Sequence, residues 1–164
     1  MDLSHAEAGD YALKGRIDLL RRHLTGQQTA TAVLTAWCKS RGLGDGEIRT
    51  EILESSLSGS RTRQTGYRRV RLFSGAAFVS AAEIRFRCEA LSDDMLRELR
   101  VTRRPFGAVV AALGPRRITT LAEAPAGGWH SRAGHVLLVH ATVLDRHGRP
   151  IARVREVYQG TLVM

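Results

Sequence analysis

Two oppositely charged side chains occupy positions that strand geometry turns toward an apolar interior. In the run from Tyr67 to Phe73, alternation places Arg68, Val70 and Leu72 on one face and Arg69, Arg71 and Phe73 on the other, so the more apolar face carries an arginine at its end. In the run from Pro150 to Tyr158, the residues Ala152, Val154, Glu156 and Tyr158 share a face opposite Ile151, Arg153, Arg155 and Val157, which sets an acid within an apolar set. Burying either charge without a partner is costly, so inward charges are kept for a reason. Three readings stay open: Arg68 and Glu156 form a structural ion pair, a local bulge turns one of them to solvent, or the two define a ligand cavity.

The other residues with chemical potential offer less. His135 and His140 lie on one strand with opposite parity and cannot jointly hold a metal, while His130 beside Trp129 reads as a histidine of a glycine-bearing surface loop. Cys38 and Cys88 are far apart with no partner at metal spacing, which predicts two buried small hydrophobes and no disulfide. Ser55, Ser56, Ser58 and Ser60 form no nucleophile elbow. The expectation is a site with no metal and no cofactor.

The elements that position these residues follow from periodicity. Residues 1–10 read as a frayed end, after which Leu13, Ile17, Leu20 and Leu24 recur at helical spacing. A second helix over Thr29 to Arg41 carries Val33, Leu34, Trp37 and Cys38 on one side and ends at the glycine-rich turn from Gly42. From Glu47 the period changes to two, and the polar stretch from Ser55 to Gly66 reads as a mobile loop. Strands over Tyr67 to Phe73 and Ala77 to Glu89 form a hairpin around Ser74-Gly75. Ser92-Asp93-Asp94 starts a short helix, Pro105 opens another over Phe106 to Leu113, and Gly114-Pro115 stops it. Strands over Arg116 to Glu123, Gly134 to Asp145 and Pro150 to Tyr158 complete the chain. Early helices and late strands predict an α+β class: an antiparallel sheet with helices packed on one face.

Composition bounds the partners. A chain of 164 residues that is 43% apolar suits one domain, 1–164, with a full core. No run reaches the about 18 to 20 apolar residues of a membrane span, and the first thirty residues carry no signal-peptide pattern, so a cytoplasmic protein with no membrane partner is expected. The net charge of +9 raises the question of a polyanion, but the arginines are scattered along every element and form no basic arm, so no nucleic acid is expected as a partner.

Four spaced signals resemble the chorismate lyase family over about Leu20 to Tyr158. They are Gly26-Gln27-Gln28-Thr29 opening a helix, Tyr67-Arg68-Arg69-Val70-Arg71-Leu72 on a strand, Arg104-Pro105-Phe106-Gly107 opening a short helix, and Arg155-Glu156-Val157-Tyr158 on the final strand. The resemblance implies a cofactor-free lyase converting chorismate to 4-hydroxybenzoate and pyruvate in aromatic acid biosynthesis. It further implies a small anionic carboxylate substrate, Arg68 and Glu156 as catalytic residues, and Arg68, Gln28, Phe106 and Gly107 as substrate-binding ones. Ala82 stands where the family carries a second arginine; Arg116 or Arg117 is the expected substitute, with a solvated strand end as the other reading of that pair. Two alternatives accompany the lyase: an enzyme of the same scaffold recruited to another elimination, dehydration or cyclisation, and a non-catalytic small-molecule sensor that needs a partner to pass on its signal.

Overall fold

Alternation of apolar and polar residues yields six strands, β1 (Ile48–Ser58), β2 (Thr65–Ser74), β3 (Ala77–Arg87), β4 (Arg116–Glu123), β5 (His135–Leu144) and β6 (Pro150–Gln159). In the computed structural model, which describes residues 3–60, 63–124 and 134–164 with side chains from residue 8 onward, they form one antiparallel sheet in the order β1-β2-β3-β6-β5-β4. The last strand therefore runs through the middle of the sheet, between β3 and β5. Four helices accompany it: α1 (Leu3–Leu24), α2 (Ala30–Arg41), α3 (Asp93–Val101) and α4 (Phe106–Val109), the last running into a 3-10 turn over Ala111–Leu113. The chain has the expected α+β class, an antiparallel sheet with helices on one face.

The core lies between that face and the helices. Val70, Leu72, Ile84, Val139 and Val154 of the sheet belong to one cluster with Leu20 and Leu24 of α1 and Val33, Leu34 and Trp37 of α2. Leu20 and Leu34 are fully buried, each contributing about 1.5 to 3 kcal/mol by removal from water. The Trp37 indole donates to the Leu162 carbonyl at 2.8 Å, tying α2 to the C-terminal turn. Cys38 and Cys88 are both buried and free. The opposite face of the sheet stays open, with Arg69, Arg71, Arg85, Arg153 and Arg155 on it.

Two features differ from the sequence reading. Ser55 to Ser58 continue β1 and Thr65-Gly66 begin β2, paired Ser55 to Arg68 and Ser58 to Thr65, so most of the expected mobile loop is the end of a hairpin. A ladder satisfies backbone groups whatever the side chains are, and serines exposed on both faces carry no alternation to betray it. Helix α1 already begins at Leu3, where a frayed end was expected, consistent with the high helix propensity of alanine and glutamate at positions 6 to 8. His130 and Trp129, expected in a surface loop, lie outside the described residues. Among the described residues, no helix is long and apolar enough to cross a membrane.

Candidate functional site

The apolar face of the sheet does not meet its helical cover everywhere. Between them lies a partly open cavity of about 50 Å³ whose floor includes Val70, Ala82, Ile84 and Val154. Its roof comes from two short stretches. Thr29, Ala30 and Thr31 form the start of α2, where the Thr29 side chain accepts from the Ala32 amide at 3.3 Å as an N-cap. Pro105, Phe106 and Gly107 form the start of α4. The two roof pieces touch: a Cβ on Gly107 would stand 3.2 Å from that of Thr29, so glycine lets α4 seat against α2. The Phe106 ring lies 5.6 Å from that of Phe86 and closes one end. An open cleft of about 930 Å³ outside shares Thr31, Thr50 and Pro105 with the cavity, so these residues stand between inside and outside.

Arg68 and Glu156 both line this cavity and are 1% and 5% exposed, yet they are not partners of one another. Glu156 is bound by Arg117, whose Nη1 donates to Oε1 at 2.7 Å and whose Nη2 donates to Oε2. The Tyr158 hydroxyl donates to Oε2 as well, at 2.7 Å. Burial opposes the charge on Arg117, but the facing carboxylate outweighs it and holds the guanidinium pKa above its ordinary value. Tyr158 is pushed well above the usual phenol range, first by burial and then by the neighbouring negative charge. The group is a neutral unit of one cation, one anion and one phenol.

Arg68 has no such closure. Its Nη1 donates to the Arg104 carbonyl at 3.0 Å and its Nη2 to the Thr102 carbonyl at 3.2 Å, both in the connector between α3 and α4. Burial lowers its pKa, and an arginine nonetheless keeps its proton. Among the described residues it faces no carboxylate, so the cavity holds two cations and one anion. The Nε atoms of Arg68 and Arg117 and Oγ1 of Thr50 are buried without a hydrogen-bond partner.

The remaining expected site residues fall as follows. Phe106 and Gly107 are in the roof. Gln28 is exposed and off the cavity wall; the helix start turns its neighbour Thr29 inward instead. Arg116 is exposed, because adjacent strand residues point to opposite faces and Arg117 takes the inner one. That inner position was not singled out because Ile118, the apolar residue of β4 nearest it, shares the face of Arg116 and is 53% exposed. Tyr158 and Thr50 were not named as site residues, although the parity of β6 already set Tyr158 beside Glu156. Among the described residues, no group of three or more His, Cys, Asp or Glu could hold a metal ion.

Sheet, roof and buried arginine together define an α+β domain with a cavity between sheet and helices. Known structures share this fold. The crystal structure of PhnF from Mycobacterium smegmatis matches at a TM-score of 0.57 with 15% identity, over 85% of this chain and 67% of that one. The effector domain of the same PhnF matches at 0.56 with 15% identity, over 82% and 90%. A transcriptional regulator of the GntR family from Enterococcus faecalis V583 matches at 0.47 with 10% identity, over 70% and 96%. No protein-family model matches the chain, and no curated protein matches it by sequence. The fold is the expected antiparallel sheet with helices on one face, and the expectation of a lyase is corrected. The structure that shares this fold over most of both chains is an effector domain, and the carboxylate expected to act in catalysis is neutralised by Arg117.

Proposed function

We propose that this chain is an effector module that binds a small anionic molecule and reports its presence, with Arg68 as the residue that receives the anion. The carrying observation is a fully buried guanidinium with only carbonyl partners on the wall of a partly open cavity. A cation in that setting gains more from an incoming carboxylate than it loses, because the cost of its own desolvation is already sunk in the fold. Residues 1–164 act as one domain of the chorismate lyase-like superfamily, and the role named for the effector domain of PhnF is the one we carry to it. Phe106 and Gly107 cover the ligand, Glu156 holds Arg117 in the frame of the cavity wall, and Gln28 and Arg116 take no part. Such a module works in the cytoplasm, and any contact with DNA belongs to a separate domain or partner.

Thermal-shift screening of the purified protein against small carboxylates tests the reading. A ligand at a hundred times its Kd stabilises the fold by about 2.7 kcal/mol, and Arg68→Ala abolishes that gain. The ligand is recovered unchanged by proton NMR after overnight incubation. Turnover of the ligand, or stabilisation that survives in Arg68→Ala, refutes the proposal.

A further inference from the structure

Resting on that reading, we infer that the ligand is a short aliphatic monocarboxylate, an acid of three or four carbons. Three independent features of the cavity converge on it. The first is charge. Arg117 and Glu156 cancel, so among the described residues of the wall Arg68 supplies the one net positive charge, which one carboxylate neutralises and a second would exceed. A dianion would leave one carboxylate buried without a cation, at the cost of stranding an ion in a low dielectric.

The second is size. At about 50 Å³ the cavity is about a third of the roughly 150 Å³ apolar cavity that takes benzene, so an acid with two or three carbons beside its carboxylate suits it better than an aromatic acid. The third is lining. On the sheet side, away from the charged residues, the wall is mostly Val70, Leu72, Ala82, Ile84, Val143 and Val154, which reward methyl and methylene groups, with Thr50 as its polar exception. Of the five buried polar atoms without a partner among the described residues, three belong to wall residues: two donors, on Arg68 and Arg117, and a hydroxyl on Thr50. A carboxylate brings acceptors to that set.

Isothermal titration of the intact protein with acetate, propionate, butyrate, isobutyrate, hexanoate, succinate and benzoate reads the inference directly. Affinity is expected to rise about fourfold per methylene from acetate to butyrate, then to fall at hexanoate and benzoate. Succinate is expected to bind about a hundredfold more weakly than butyrate. Arg68→Gln removes butyrate binding; should that variant fail to fold, Ala82→Val, which fills the cavity while keeping every charge, lowers butyrate affinity at least tenfold in a protein of unchanged circular dichroism. Succinate or benzoate binding more tightly than butyrate, with loss in Arg68→Gln, overturns the size and charge assignment and leaves the effector reading standing. Binding of none of the seven acids, together with no Arg68-dependent ligand in the wider screen, overturns both.

Discussion

Replacing Glu156 by glutamine keeps the shape of the side chain and removes one buried charge, which isolates the role of the Arg117 pair. Both partners are nearly sealed, their side chains 3% and 6% exposed, and the carboxylate takes two guanidinium donors and the Tyr158 hydroxyl. Glutamine keeps only one acceptor oxygen, turns its amide donors toward a guanidinium that has nothing to accept with, and leaves Arg117 an uncompensated buried cation. Breaking such a pair from one side costs about 3 to 5 kcal/mol. For a domain of this length that is a fall in Tm of about 6 to 20 °C, a large part of a stability of about 5 to 15 kcal/mol. Removing both charges differs: Arg117→Met with Glu156→Leu restores most of the loss, because an apolar pair has no desolvation to recover. Urea unfolding of the two single variants and the double gives the coupling energy, expected at about 2 kcal/mol or more. A Glu156→Gln variant within 1 kcal/mol of the parent, or single losses that simply add in the double, refutes the closed ion pair and returns Glu156 to the set of free groups.

Two further perturbations probe what holds the cavity in place. Gly66 faces the Phe86 ring, and a Cβ there would stand 2.0 Å from Cζ, so Gly66→Ala displaces the ring that stacks on Phe106 and costs about 1 to 3 kcal/mol by urea unfolding. Part of that loss returns when Phe86→Leu is added, and full additivity argues against the contact. Raising the pH destabilises the fold: burial raises Tyr158, and the thiols of Cys38 and Cys88 above 9.0, so the unfolded chain releases these protons first. With more protons on the folded state, stability is intact below the unfolded pKa values, declines from about pH 9 for the thiols, and above about pH 10 falls by up to about 1.4 kcal/mol per pH unit from Tyr158. Tyr158→Phe starts less stable through loss of its bond to Glu156 and shows a shallower decline above pH 10 in urea midpoints; a slope unchanged from the parent refutes the assignment.

Strand parity revealed Arg68 and Glu156 because each sits in a strand whose other inward residues are plainly apolar. In β4 it leaves the choice between Arg116 and Arg117 open, for the same physical reason in reverse. The inner face of β4 offers Arg117 and Thr119 and the outer face offers Arg116 and Ile118, so hydrophobicity votes for the wrong face. Only the pairing of Arg117 with the buried Val143 on β5 fixes the direction, and register across a non-local hairpin is not written in one strand. The same limit explains the hairpin end at Ser55 to Ser58, where a ladder forms between exposed polar residues. Cavity, roof and connector contacts depend on how α2 and α4 settle on the sheet, and the sequence marks only their starts, Thr29 and Pro105.

The two inward arginines differ in one respect that decides what each is for. Arg117 is closed by a carboxylate in a two-pronged contact, and its backbone amide donates to the Gln27 carbonyl at 3.0 Å, which ties β4 to the lead-in of α2. Every feature of it serves the frame. Arg68 instead reaches past the sheet to two carbonyls of a connector, partners that orient a guanidinium without cancelling its charge. Ala82 sharpens the contrast. It lies directly across from Glu156 in the ladder and from Val70 on its other side, so a long cationic side chain there would enter the space that an alanine leaves open. With alanine at 82 and arginine at 117, the chain satisfies its buried acid from the edge of the sheet and keeps the centre of the floor apolar. The charge left over is then at Arg68, beside the one stretch of roof that it holds down itself.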